Sequence, residues 1–212
     1  RAHMAVCGLL RLDHVMAFHR LYWVPDGETA DRGVYVRAHS DELFAVLSIE
    51  SHRAGCPVVG EDLGTVPDEV RHRIERHGLY SMYVAQFSQD AAPGAPLTLP
   101  QPGTMASVNT HDTPTLAGWV TGDDIDRRCD MGLLDDQDAA DEHARRSHQA
   151  RNLASSVGLD RHDDHQLLLV ALLEALGRTD AAVVLASLDD LLGRVEPQNV
   201  PGTPVDRPNW VL

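Results

Sequence analysis

Residues 57–64 read Pro57-Val58-Val59-Gly60-Glu61-Asp62-Leu63-Gly64. Two β-branched apolar residues set between Pro and Gly predict a short buried strand. That strand ends on two acidic residues. The pattern recurs on both sides of it. Residues 5–12 (AVCGLLRL) predict a strand ending in Asp13-His14, and residues 105–110 (MASVNT) predict one ending at His111-Asp112. Residues 80–87 (YSMYVAQF) and 181–188 (AAVVLASL) bring the expected strands to five. Helical segments alternate with them. Ser40 or Asp41 is expected to cap a helix that turns Leu43, Phe44, Leu47 and Ile49 inward, with Gly55 just past its end. Pro67 suits the first turn of another helix, and Gly78 follows it. An acidic helix is expected over about 134–157 and a more apolar one over about 164–177. Residues 88–104 form a long loop rich in Pro, Gly and Ala, and the tail from Glu196 to Trp210 reads as a proline-rich ordered loop. Long loops in compact domains are often functional.

Strand, helix and strand in repetition imply an α/β fold with parallel strands and helical crossovers. Carboxylates at successive strand ends are what a (β/α)8 TIM barrel shows, because its active site gathers residues from the C-terminal ends of different strands. A doubly wound open sheet also alternates, but there a Gly-rich phosphate turn should follow the first strand, and none is present. Five strands cannot close an eight-stranded barrel of about 250 residues. The expectation is therefore an incomplete barrel. Its sheet edges would be exposed and the 212 residues alone would fold poorly.

Composition excludes several classes. The chain has 18 basic and 32 acidic residues, a net charge of −14. Nucleic acid and anionic membrane surfaces both require a basic face, so neither is an expected partner. A neutral substrate is compatible. At 43 % hydrophobic residues the chain can bury a core. No stretch reaches the roughly 18 apolar residues of a membrane span, and the longest run, 167–173, stops at Glu174. The N-terminus lacks the pattern of a signal peptide. Cys7, Cys56 and Cys129 are odd in number and widely spaced, which predicts neither a disulfide framework nor a zinc site and fits a reducing cytoplasm. His162-Asp163-Asp164-His165 reads as a solvated loop rather than a metal ligand set. No cofactor or metal is expected.

Three constellations carry chemistry. In a strand, residues i and i+2 face one side, so Arg11 and Asp13 point together. A guanidinium beside an Asp favours its charged form, which a carboxylate nucleophile needs, although a structural ion pair would look the same. Glu61 stands behind an apolar strand, a setting that suits general acid work, and Gly60 permits close approach of backbone or ligand. The alternative for Glu61 or Asp62 is an anion at a helix N-terminus. Asp112 either caps the next helix or serves as an active-site acid. The acidic strand ends recur at 13, 61 and 112, about every fifty residues. Retaining glycosidic chemistry uses one carboxyl to protonate the leaving oxygen and another to attack the anomeric carbon, roughly 5–5.5 Å apart. A third carboxylate can bind sugar hydroxyls and support the developing positive charge.

Arg11-Leu12-Asp13-His14, Tyr22-Trp23-Val24-Pro25, Gly60-Glu61-Asp62-Leu63-Gly64-Thr65-Val66-Pro67 and Thr110-His111-Asp112 occur in the order seen in amylomaltases, the 4-alpha-glucanotransferases. Gly27-Glu28-Thr29-Ala30-Asp31 and Asn199-Val200-Pro201-Gly202-Thr203, followed by Asn209-Trp210, resemble the bacterial branch. The resemblance covers nearly the whole chain and is weakest at about 88–104 and 122–180. It implies a retaining transferase that moves alpha-1,4-glucan segments between malto-oligosaccharides. Hydrolysis on the same site, or a silent glucan-binding fragment, are the alternatives. It implies Asp13 as nucleophile, Glu61 as acid/base and Asp112 as transition-state stabiliser. Arg11, His14, Tyr22, Trp23, Asp62, Asn109 and His111 are the implied substrate-binding residues. Tyr22 and Trp23 either stack on glucosyl rings or pack in a core. Residues 1–13 would hold the fourth barrel strand, so the chain would cover about strands 4 to 8, with the upstream strands and the extreme C-terminus absent.

Overall fold

The computed structural model describes residues 1–201 and 209–211. Gly202 and Thr203 of the motif quoted above lie outside the described residues. The fold is mixed α/β. The chain divides into two compact units, Arg1–Met82 with Gly103–Met105, and Tyr83–Pro102 with Ala106–Leu212.

The first unit runs β1 (Leu10–Leu12), β2 (Arg20–Trp23), β3 (Val34–Arg37), α1 (Ser40–Ala54), β4 (Val58–Gly60) and α2 (Asp68–Arg76). β1 and β4 pair in parallel, Leu10 with Val58, Arg11 with Val59 and Leu12 with Gly60. A further parallel bridge joins Val59 to Tyr80. Val15, Phe44, Cys56, Val58, Val70 and Ile74 form the core beneath this ladder. The strand expected over 5–12 is only three residues long. A 3-10 turn occupies His3–Ala5 instead, its Met4 buried in the same core. Helix α1 starts at Ser40, but neither Ser40 nor Asp41 caps it. Ser40 Oγ donates to Phe18 O at 2.7 Å, tying the helix start to the preceding turn. Phe44 and Leu47 face inward as expected, whereas Leu43 and Ile49 are exposed. The buried stripe of α1 is thus narrower than the apolar one. Gly55 ends the helix at φ +59°, which glycine adopts without steric cost.

β2 and β3 form an antiparallel hairpin with Tyr22 opposite Tyr35. It departs from the all-parallel expectation. The chain between the two strands is too short for a helical crossover, so they can pair only by folding back.

The second unit runs β5 (Ser81–Val84), α3 (Ala85–Ser88), β6 (Thr104–Ser107), α4 (Leu116–Thr121), α5 (Asp123–Asp130), α6 (Asp136–Ser156), α7 (His165–Gly177), β7 (Val183–Leu185) and α8 (Leu188–Leu191). The unit boundary passes through β5 and β6. The sheet order is β5-β6-β7. The strands expected over 80–87, 105–110 and 181–188 are all shorter than read. After β5 the chain coils into α3, and Gln86 N–H reaches Val108 O at 3.1 Å. Leu116, Trp119, Leu153, Leu168, Leu169 and Leu172 lie in the core of this unit. α6 and α7 fall where the sequence places them. Each is capped by an aspartate: Asp135 accepts Asp138 N–H at 2.8 Å and Asp164 accepts Leu167 N–H at 2.9 Å.

The long loop of residues 88–104 is pinned to α6. Asn152 accepts from Gly94 N–H and donates to the carbonyls of Asp90 and Ala92, while Ser156 Oγ accepts Leu97 N–H. No helix among the described residues is long and apolar enough to cross a membrane. No group of metal-ligating side chains occurs among them.

Candidate active site

The register of β1 and β4 aligns Leu12 with Gly60, so Asp13 and Glu61 are the next residues on neighbouring parallel strands. Three hydrogen bonds hold the chain there. Glu61 N–H donates to Leu12 O at 2.8 Å, Val15 N–H donates to Glu61 O at 3.1 Å, and His14 N–H donates to Glu61 Oε2 at 3.0 Å. Leu63 N–H donates to Glu61 Oε1 at 2.8 Å, so both oxygens of this carboxylate are held by backbone donors. Val15 fits here because Gly60 lacks a side chain. A Cβ on Gly60 would meet Val15 Cγ2 at 3.1 Å. The close approach expected at Gly60 is therefore made by Val15.

His14 takes a left-handed conformation, φ 46° and ψ 61°. For a residue with a Cβ this costs about 1–2 kcal/mol, and it turns the His14 N–H onto Glu61. His14→Val is expected to be less stable than His14→Gly by at least about 1 kcal/mol, because a β-branched side chain fits that conformation worst. Denaturant titration of the two variants checks this; equal midpoints would contradict it.

Arg11 Nη2 lies 2.8 Å from Asp13 Oδ1, and Arg11 Nε donates to Met82 Sδ at 3.4 Å. Asp13 keeps 74 % of its side-chain surface exposed. Asp62 is the opposite case, only 3 % exposed. Its Oδ1 accepts Met82 N–H at 2.8 Å and its Oδ2 faces Arg71 Nη1 at 3.2 Å. Asp62→Ala leaves the Met82 N–H unpaired, while the half-exposed Arg71 can turn to water, and is expected to cost about 1–3 kcal/mol. A wild-type denaturation midpoint would refute that.

Arg11, Asp13, His14 and Glu61 thus meet at the paired ends of β1 and β4, whereas the Asp62 carboxylate is buried against Met82 and Arg71. Tyr22 and Trp23 lie elsewhere in the same unit, on the hairpin. Trp23 is 59 % exposed, so it is not core packing. Tyr22 packs edge to face on Tyr35 with ring centroids 4.9 Å apart, and its hydroxyl donates to Ala30 O at 2.6 Å.

In the second unit Asn109, His111 and Asp112 share one turn. Asp112 does not cap α4. Thr115 does, its Oγ1 accepting Gly118 N–H at 3.1 Å. The Asp112 N–H is instead held by Thr110 Oγ1 at 3.2 Å, within a turn that ends short of the helix. Asp112 Oδ2 lies 3.1 Å from His111 Nε2, and Oδ1 accepts Asn199 Nδ2 at 2.5 Å. The His111 ring lies 5.7 Å from that of Trp210. Asp112 opens on a cleft of about 640 Å³ lined also by Arg127, Arg128, Glu142 and Asn199, within the size range of small-molecule sites. Asn109 is buried, and its amide nitrogen is engaged by Pro114 O at 3.3 Å and by Asp190 Oδ2 at 2.7 Å.

Asp190 is the residue that sequence reasoning missed. It is 3 % exposed. Burial pushes its carboxyl above the usual range, the charge of Asp189 adds to this, and bonds from Leu116 N–H and Asn109 work against it. The signal was available: Asp189-Asp190 follows the fifth predicted strand, as acidic residues follow three of the others.

Parallel strands, with Asp13 and Glu61 directly after β1 and β4, define an α/β protein. The chain belongs to the 4-alpha-glucanotransferase family, whose model matches residues 1–212. It is 36 % identical to the 4-alpha-glucanotransferase of Mycobacterium tuberculosis over 99 % of this chain and 30 % of that protein. With the Haemophilus influenzae 4-alpha-glucanotransferase the identity is 33 %, over 99 % of this chain and 32 % of that protein. Among solved structures it resembles amylomaltase from Corynebacterium glutamicum, with a TM-score of 0.85 and 29 % identity over 98 % of this chain and 32 % of that one. The chain thus spans about a third of the length of the relatives it matches.

Proposed function

We propose that this chain supplies the nucleophile and the acid/base of a retaining 4-alpha-glucanotransferase acting on malto-oligosaccharides. The observation that carries the proposal is the register of β1 on β4. Neighbouring strands lie about 4.8 Å apart, and retaining enzymes hold their two carboxyl groups roughly 5–5.5 Å apart. In-register Asp13 and Glu61 suit that spacing, whereas an inverting pair needs roughly 6.5–9.5 Å. Asp13 attacks the anomeric carbon as the glycosidic C–O bond breaks, and Glu61 gives its proton to the leaving oxygen. An acceptor sugar hydroxyl then loses its proton to Glu61 and displaces Asp13. For Asp112 we propose the role of the third carboxylate, on the Thr110-His111-Asp112 motif. Trp23, exposed on its hairpin, offers an aromatic face of the kind that stacks on sugar rings.

The fold we propose for the working enzyme is a (β/α)8 barrel in which β1 is the fourth strand. Maltotriose tests the function, in the full-length protein that contains this chain. Disproportionation yields glucose together with maltopentaose. Glucose and maltose alone would mean hydrolysis, and an unchanged substrate would overturn the proposal.

A further inference from the structure

Asp190 grips both feet of one loop. Its Oδ2 accepts Asn109 Nδ2 at 2.7 Å, and its Oδ1 accepts Leu116 N–H at 2.6 Å. Asn109 lies two residues past the end of β6, and Leu116 is the first residue of α4. Between them stand His111 and Asp112. The loop is also stiff internally. Thr110 N–H donates to Thr113 Oγ1 at 2.9 Å, Thr113 Oγ1 donates to Thr110 O at 3.0 Å, and Asp112 N–H donates to Thr110 Oγ1. The Asp190 carboxylate thus ties the two feet of this stiff loop to each other.

A second path to Asp112 begins on the preceding residue of the same helix. Asp189 Oδ1 accepts Gln198 Nε2 at 3.1 Å, and the neighbouring Asn199 donates to Asp112 Oδ1. Helix α8 is itself tied to α7 through Gln166 Nε2 and Asp190 O at 2.8 Å. The Asp190 carboxylate is nearly as buried as any polar side chain among the described residues. Burying a charge is unfavourable unless donors compensate it. Both donors here are strong and well placed, and bonds to an ionised acceptor are shorter and stronger than neutral ones. A neutral side chain would hold the feet more loosely.

We propose that Asp190 is a positioning residue for Asp112, setting the place of its carboxylate in the transfer reaction through Asn109 and the first turn of α4. This rests on the role proposed for Asp112 above. Displacement of a reacting or stabilising group by about 1 Å costs on the order of 100-fold in rate.

The test uses the full-length enzyme with Asp190→Asn, Asn109→Ala and the exchanged pair Asn109→Asp/Asp190→Asn. Active sites are counted by the burst from an activated glucosyl fluoride, and kcat per counted site is measured with both maltotriose and the fluoride. Asp190→Asn is expected to lose about 10- to 100-fold in kcat per site, with KM little changed. The loss should be similar on both donors, because Asp112 acts on charge in the sugar ring and not on the leaving oxygen. Asn109→Ala, which frees one foot only, should show a smaller loss of the same kind. The exchanged pair restores the bond between the two side chains and should recover part of the rate. Full kcat per counted site in Asp190→Asn or in Asn109→Ala overturns the inference, and so does a loss confined to the number of counted sites. If Asp190→Asn does not fold, Asn109→Ala decides alone. A wild-type enzyme without transfer or hydrolysis would instead remove the functional reading beneath it.

Discussion

Asp13→Asn is expected to form no covalent glycosyl-enzyme and to lose roughly four to six orders of magnitude in transfer, about 5 to 8 kcal/mol at 1.36 kcal/mol per tenfold. Asparagine has nearly the shape of aspartate, but its amide oxygen carries no formal charge with which to attack the anomeric carbon. The alternative role for Asp13 is a structural ion pair with Arg11, since the two lie 2.8 Å apart. The two roles predict different things because Asp13 is 74 % exposed. A solvent-exposed pair contributes only about 0–1 kcal/mol to stability. A structural role therefore allows a small change in the denaturation midpoint and little change in rate. A nucleophile allows the same small change in the midpoint with near-complete loss of rate. Trapping with a fluorinated glucosyl donor and mapping the labelled peptide locates the bond directly. A label on any carboxylate other than Asp13 would remove it from the role.

The acidic strand ends could be read before any coordinates because two simple signals coincide there. Val58-Val59-Gly60 and the mainly apolar stretch 5–12 are short runs, and each is followed directly by a carboxylate, Glu61 and Asp13. Which strands pair, and that Leu12 stands opposite Gly60, comes from the folded structure and was not read from the sequence. Helices α6 and α7 were legible for a different reason. They are long, and an aspartate caps each start.

What stayed hidden is also physical. In the β2–β3 hairpin Leu21, Tyr22 and Trp23 stand opposite Val36, Tyr35 and Val34, and all are substantially exposed. A strand with apolar residues on both faces shows no alternation between inside and outside, so period-two reading finds nothing. Residues 5–9 are apolar enough for a strand, yet no strand among the described residues pairs with them, and the ladder with β4 begins only at Leu10. Pairing is a property of two segments, and one segment cannot reveal it. Asp190 was lost for a related reason. Its neighbours Asn109 and Leu116 are 81 and 74 residues away in the chain, so only the folded arrangement reveals which groups it holds.

Glu61→Gln should make the rate depend steeply on the leaving group. With maltotriose the leaving oxygen is a sugar hydroxyl, a poor leaving group that needs a proton as the bond breaks. General acid catalysis contributes about 10²–10⁴-fold to such a step, and that is the loss expected. With glucosyl fluoride the departing ion needs little help, so formation of the intermediate should be nearly unchanged. The geometry sharpens the comparison. Glu61 Oε1 and Oε2 each accept a backbone N–H, from Leu63 and His14. A glutamine can satisfy only one of these donors with its oxygen, and its NH2 group faces the other. Leaving a donor unpaired costs about 1–3 kcal/mol, so some local loss of stability accompanies the substitution. That loss falls equally on both donors, because it belongs to the free enzyme. The diagnostic quantity is therefore the ratio of the two rates. An unaltered ratio, with both donors slowed by the same factor, would mean that Glu61 frames the site through His14 and Leu63 but does not move the proton.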